Sequence, residues 1–338
     1  MSVILCEETR GEVVESLSRG DIAVVDTRGK LLYYAGDPGK FTYLRSAAKP
    51  LLALEVILSG ASQYYGFTDR ELAVMCASHF GEPMHRGAVE SILTRIGLTR
   101  EAVLGGSVTS LDPRYASKLA YEHVPLNPLF SDCSGKHAGM LSICKYRGYP
   151  LDSYTHPDHP LQQELLQLLA RLTRYDKEAI AVGVDGCSVP VHAMPLRHMA
   201  EGFARLATPG QETWAPAAGN IFRAMNQHPE MIAGTGGFCS DLIRHTHGKL
   251  IGKIGAQGVY CIGIRNKNMG IAVKMEDGHM ERLKPVVIKI LEDLGLLTWQ
   301  EAAALRPYRL MSNRNDLESI VGEIGAVFEL EEAHANQR

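Results

Sequence analysis

A proline at the head of a long apolar run fixes where the first helix of this chain can begin. Pro50 has no N–H, so it fits only in a first turn. Behind it Leu51, Leu52, Leu54, Val56, Ile57 and Leu58 describe a helix buried nearly all round. The helix therefore begins at about Ser46 or Ala47, runs to about Ser59 and is ended by Gly60. Its first turn reads Arg45-Ser46-Ala47-Ala48-Lys49-Pro50, which puts Ser46 and Lys49 three residues apart over one face. A serine hydroxyl is a poor nucleophile until a neighbouring base takes its proton. A lysine serves as that base only when burial or a second cation pulls its pKa down. The plain alternative makes Ser46 an N-cap and Lys49 a solvated first-turn residue.

The bulk of the chain is compatible with a buried site. Its 338 residues suffice for one large or two ordinary domains, and 45% hydrophobic against 22% charged residues supply a sizeable core. A net charge of −3 gives no reason to expect a nucleic-acid or membrane-surface partner. No stretch approaches the apolar length of a membrane span. Met1-Ser2-Val3-Ile4-Leu5-Cys6-Glu7-Glu8 turns acidic at once and does not read as a signal peptide. Seven cysteines are then expected to be reduced thiols or metal ligands in a cytoplasmic protein.

Taken in order, residues 12–34 read as strands, with a hairpin turning at Thr27-Arg28-Gly29-Lys30. The Ser46 helix follows. Thr68 as N-cap and Glu71 as its return partner predict a helix over about 69–77, which runs into the polar loop Cys76-Ala77-Ser78-His79-Phe80-Gly81-Glu82-Pro83. Helices are expected over about 84–96, 140–146, 160–172, 196–207, 214–227 and 284–296. Residues 105–130 read as irregular. Gly234-Thr235-Gly236-Gly237 reads as a turn that lets backbone approach something closely, without the ending of a phosphate loop. Strands return at 249–256, 258–264 and 269–275, and a β-rich tail at 319–329 closes the chain. Strands at both ends with helices between imply an α+β fold, one antiparallel sheet built from N- and C-terminal strands with a helical region inserted. The sheet subregion is expected over approximately 1–45 and 245–338, and the helical subregion over approximately 46–244, within one domain of 1–338.

Three further groups carry chemistry. A Ser-x-x-Lys at a helix start with a Lys-Thr-Gly strand is the pattern of penicillin-recognising serine enzymes. Here the strand spells Gly252-Lys253-Ile254-Gly255, and the plain alternative is a protective lysine on an edge strand. A second serine is needed as proton relay. Ser78 and Ser131 both qualify, and spacing does not decide between them. Cys133, Lys136, His137, Asp185 and Cys187 form a cluster whose thiolates, imidazole and carboxylate would suit zinc, against a plain reading as two small buried thiols and a loop histidine.

Arg45-Ser46-x-x-Lys49-Pro50, Ser78-His79, Cys133-Ser134-Gly135-Lys136-His137, Val184-Asp185-Gly186-Cys187 and Gly252-Lys253-x-Gly255 together resemble the bacterial L-asparaginase II family, in its Rhizobium etli inducible type. The resemblance spans roughly residues 10–330. It implies a fold similar to serine β-lactamases and glutaminases, a homodimer, and hydrolysis of L-asparagine to L-aspartate and ammonia. It implies two catalytic tandems, Ser46 with Lys49 and Ser78 with Lys253, which selects Ser78 as the second serine. It also implies a zinc site at Cys133, Lys136 and Cys187 with Asp185 close by, in place of a conventional His137 ligand. On this reading Lys253 keeps Lys49 neutral, and Arg45 or His137 holds the substrate carboxylate. A glutaminase, a penicillin-type amidohydrolase and a zinc-binding protein without catalysis are the competing readings.

Overall fold

The computed structural model describes residues 1–333; the last five positions of the expected sheet subregion, 334–338, lie outside the described residues. The chain divides into two compact units. One comprises Met1–Ala47, Met194–Thr208 and Arg244–Arg338, the other Ala48–Ala193 and Pro209–Ile243.

The first unit is the sheet. Its strands are β1 (Val3–Arg10), β2 (Val13–Asp26), β3 (Leu31–Ala35) and the short β4 (Phe41–Tyr43). Two strands lie in the inserted segment, β5 (Ala181–Val184) and β6 (Pro190–Pro195). The sheet unit resumes with β7 (Leu250–Gly255), β8 (Val259–Ile264), β9 (Met269–Met275), β10 (Leu310–Arg314), β11 (Ile320–Ala326) and β12 (Glu331–Glu332). The order is β10-β11-β1-β2-β9-β8-β7, with β3 on β2 and β12 on β3, and each of these pairings given in register is antiparallel. The hairpin expected at Thr27–Lys30 is present, with Ile22 opposite Ala35 and Val24 opposite Tyr33. N- and C-terminal strands thus make one sheet, and the α+β expectation holds.

The second unit is helical. It contains α1 (Lys49–Leu58), α2 (Ala61–Tyr65), α3 (Asp69–Met75), α4 (Pro83–Arg95), α5 (Pro113–Tyr121), α6 (Ser134–Arg147) and α7 (Pro160–Thr173). After α8 (Leu196–Ala207) come α9 (Ala215–Gln227) and α10 (Phe238–His245), and the sheet unit ends with α11 (Leu283–Asp293) and α12 (Trp299–Arg309). α1 is buried on nearly every side, from Lys49 to Leu54 and at Val56.

Four expectations change. α8 belongs to the sheet unit, so the helical subregion expected over 46–244 gives up Met194–Thr208. The cause is close packing on β9, where a Cβ on Gly270 would stand 1.9 Å from the Ala200 carbonyl oxygen. The stretch 105–130 is not wholly irregular. Asp112 caps α5 by accepting from the Tyr115 N–H at 2.6 Å, and Pro113 opens it. α6 starts at Ser134 rather than Met140, because small residues form its buried first turns. α10, α12 and β10 add to the elements expected from the sequence. Among the described residues no helix is long and apolar enough to cross a membrane.

Candidate active site

The helical unit gathers its reactive side chains around the first residue of α1. Lys49 is 1% exposed. Its Nζ donates to Ser78 Oγ at 2.9 Å and to both the carbonyl oxygen and Oδ2 of Asp132 at 3.2 Å. A solvated first-turn lysine is therefore excluded. Burial by itself would pull the Lys49 ammonium down, but Cys133 and the Asp132 carboxylate outweigh it and hold its pKa above the ordinary lysine value. In the same pair burial pushes the Asp132 carboxyl up, and Lys49 more than reverses it, leaving Asp132 below its ordinary value. The partner of Lys49 is thus an acid, Asp132, which favours the protonated amine.

Ser78 reaches Lys49 from the loop after α3. The capping box of Thr68 and Glu71 starts that helix as expected. Past its end the loop is pinned by Ser78 N–H to the Ile232 carbonyl at 3.0 Å and Phe80 N–H to the Ala233 carbonyl at 2.7 Å. The glycine-rich stretch at 234–237 follows these acceptors, and a Cβ on Gly234 would meet the Phe80 ring at 2.7 Å. His79 is fully buried. Its Nδ1 accepts from the Gly81 N–H at 3.1 Å, so its Nε2 carries the hydrogen and donates to Ser134 Oγ at 2.9 Å. Burial, then the stacked His85 ring 5.0 Å away, keep the His79 imidazole neutral. The choice between Ser78 and Ser131 is settled as to which meets Lys49. Ser131 Oγ instead accepts the Cys133 N–H at 3.4 Å.

The start of α6 brings the second group. A Cβ on Gly135 would stand 2.1 Å from the Val74 carbonyl oxygen, so only glycine lets this turn lie on the end of α3. Lys136 and Cys187 are both buried, with Lys136 Nζ on Cys187 Sγ at 3.0 Å. A hydrogen bond from Cys133 pulls the Cys187 thiol down, against its burial, while the Cys133 thiol is pushed up. His137 is buried and, through burial, held below its ordinary value. Tyr154 Oη lies 2.6 Å from its Nδ1. Asp185 sits half-buried in the turn after β5, its carboxylate accepting from the Gly186 N–H at 2.8 Å. Among the described residues no group of three or more His, Cys, Asp or Glu side chains is arranged to hold a metal ion, so Asp185 and the two thiols do not make one together. Cys133, Lys136 and Cys187 remain as two sulfurs and an amine. That donor set suits a thiophilic cation once Lys136 gives up its proton.

In the sheet unit, Ser46 lies half-buried in a 3-10 turn, Arg45–Ala48, that leads directly into α1. The helix proper thus begins three residues later than the earliest expectation, with Pro50 in its first turn. Arg45 carries φ +51°, a left-handed backbone that a side chain adopts at a cost of about 1–3 kcal/mol and that is enriched at functional turns. β7 ends against this turn: a Cβ on Gly255 would stand 2.6 Å from the Leu44 carbonyl oxygen and 3.2 Å from the Ala47 nitrogen. Lys253 on that strand is 0% exposed, with Nζ 2.8 Å from the Ile254 carbonyl oxygen. An edge-protecting lysine would be solvated, so that plain reading fails too. Sequence reasoning misses Asp132 as the partner of Lys49, although Ser131-Asp132-Cys133 stands out in the chain for its serine.

The helical unit thus holds a hydroxyl on a buried ammonium, and the sheet unit holds a polar turn with a second serine and a buried lysine on the strand against it. These are groups for acyl transfer. Among solved structures the chain is similar to a β-lactamase from Mycobacterium bovis (14% identity, TM-score 0.40, covering 86% of this chain and 95% of that one). It is similar also to a β-lactamase candidate from Bacteroides dorei (14%, 0.44, 81% and 93%) and to Mglu in its native form (14%, 0.38, 83% and 62%). No curated protein is significantly similar in sequence. The family described as L-asparaginase II matches residues 6–326, a span that holds every serine, lysine and cysteine of the two groups. The chain belongs to the L-asparaginase II family, a family of amidohydrolases.

Proposed function

We propose that this protein hydrolyses the side-chain amide of L-asparagine to L-aspartate and ammonia through an acyl intermediate on Ser46, as a member of the Rhizobium etli inducible type. The observation that carries this reading is the family match over residues 6–326. The buried Lys49–Ser78 hydrogen bond at 2.9 Å supports it.

Ser46 Oγ bonds to the amide carbon, the carbon–nitrogen bond breaks, and nitrogen leaves as ammonia. Water then cleaves the β-aspartyl ester and restores the serine. The Ser46 proton is taken by Lys49 in its neutral form, with Lys253 as the lysine of the second tandem. Lys49 passes a proton through Ser78 to the departing nitrogen. Backbone N–H groups at the start of α1 stabilise the oxyanion. Arg45 or His137 would hold the substrate carboxylate. Cys133, Lys136 and Cys187 would hold a zinc ion, which supplies a fixed positive charge for orienting substrate.

The test is ammonia release from L-asparagine, L-glutamine and, as ring opening, nitrocefin, by the wild type, Ser46→Ala and Ser78→Ala. Release from asparagine that is abolished in Ser46→Ala is the expected result. Release that survives in Ser46→Ala and disappears in Ser78→Ala would move the acyl group to Ser78. Turnover of glutamine alone would make the enzyme a glutaminase. No turnover of any substrate with zinc supplied would overturn the enzymatic reading.

A further inference from the structure

We propose that Asp132 is the positioning residue of this site: it fixes the Lys49 amine so that one N–H is left facing Ser78. The inference rests on the amide-hydrolase reading for its effect on rate, but not for its geometry.

Lys49 Nζ makes hydrogen bonds to three oxygen atoms. Asp132 supplies two of them, its carbonyl oxygen and Oδ2, each at 3.2 Å. The third is Ser78 Oγ at 2.9 Å. One residue thus grips the amine with main chain and side chain together, and the remaining direction is the one toward the serine. A lysine stem has four methylenes and many rotamers, so without a grip its head group has no fixed aim. Asp132 is itself held. Cys133 Sγ lies 3.4 Å from Oδ2, and the turn is closed by Ser134 N–H on the Ser131 carbonyl at 2.9 Å. The Lys49 side chain is 1% exposed and that of Asp132 21%, so water competes little for either partner.

The closing experiment compares Asp132→Asn with the wild type in full-length protein. It has two readouts: steady-state kinetics on L-asparagine, and the Lys49–Ser78 distance in a crystal structure of the variant. Asparagine keeps the shape and the main-chain carbonyl and removes the carboxylate. We expect kcat to fall at least tenfold with KM within about twofold, and the Lys49–Ser78 hydrogen bond to break. Asp132→Glu, which keeps the charge but moves it, should recover part of the rate, and it carries the test if the asparagine variant does not fold. An intact Lys49–Ser78 hydrogen bond, or an unchanged kcat with that bond broken, overturns the proposal. A uniform loss of folded protein in both variants, with kcat per folded molecule unchanged, makes Asp132 purely structural and overturns it as well. Absence of amide turnover in the wild type would sink the proposed function alone, since the distance readout still decides the positioning.

Discussion

Gly135→Ala is the perturbation whose sign most sharply separates packing from propensity. In an open helix this change stabilises by about 1 kcal/mol, because glycine loses more backbone freedom on folding. Gly135 lies in the first turn of α6, and the added Cβ would stand 2.1 Å from the Val74 carbonyl oxygen and 2.7 Å from its carbon. Both are backbone atoms, so no side chain can swing aside. The α6 start must retreat by about 1 Å to reach ordinary contact, and overpacking of this kind costs typically about 1–3 kcal/mol. Taking the upper part of that range against the propensity gain leaves a net loss of about 2 kcal/mol. At roughly 2 °C per kcal/mol for a long chain, the melting temperature should fall by about 4 °C. The same retreat displaces Cys133 and Lys136, and a misplacement of about 1 Å can lower a rate about a hundredfold. The control is Gly87→Ala in α4, exposed and with nothing within 4 Å of the new Cβ, which should stabilise by about 0.5–1 kcal/mol. Calorimetry and ammonia release on both variants make the assay. If Gly135→Ala matches Gly87→Ala in stability and keeps full turnover, α6 does not lie on the end of α3 as described.

Two further predictions concern pH. Burial, then the Glu164 carboxylate, push the Glu55 carboxyl from 4.5 to about 7, opposed by Arg147 and Arg171. A carboxyl raised on folding contributes stability below its unfolded value that is lost as pH rises through the folded one. Glu55→Gln should therefore gain melting temperature relative to wild type between about pH 5 and 8, and a gap that stays constant across that range would refute the assignment. Glu71 is the opposite case. Burial pushes it up, but the Thr68 N–H at 2.8 Å, Ser91 Oγ at 2.7 Å and Arg95 Nε at 3.0 Å bring it below 4.5. Its contribution is present above that value and fades as pH falls. Glu71→Gln should cost about 1 kcal/mol at pH 7 and progressively less in denaturation series taken below about pH 4.5.

The elements that are legible in the sequence have one-sided chemistry. β2 and β3 are apolar runs either side of a glycine turn, and α3 announces itself by Thr68 and Glu71. α5 buries only Leu119, so its apolar period is too faint to register, although Asp112-Pro113 is an N-terminal signal in its own right. α12 has the same defect and the same remedy, since Thr298 and Glu301 form a capping box over a helix that buries only Glu301 and Leu305. α6 fails for another reason. Its buried first turns include Ser134, Gly135, Ala138 and Gly139, and small residues chosen for close approach do not look hydrophobic to a periodicity count.

The site divides along a similar line. Ser46, Lys49, Ser78 and Lys253 are legible as residue types at meaningful positions, but a charge state is a property of neighbours. Chain spacing offers a second lysine to discharge Lys49. The groups beside the amine are Cys133 and Asp132, the latter 83 positions away, and a one-dimensional reading has no means of bringing them to it. The same hydrogen bonds exclude a solvated Lys49. A first-turn lysine without a role stays in water, because burying an unpaired ammonium costs several kcal/mol. Lys49 is buried with hydrogen bonds to three oxygen atoms, one of them the Ser78 hydroxyl. Burial compensated in this way is what separates Lys49 from a solvated first-turn lysine.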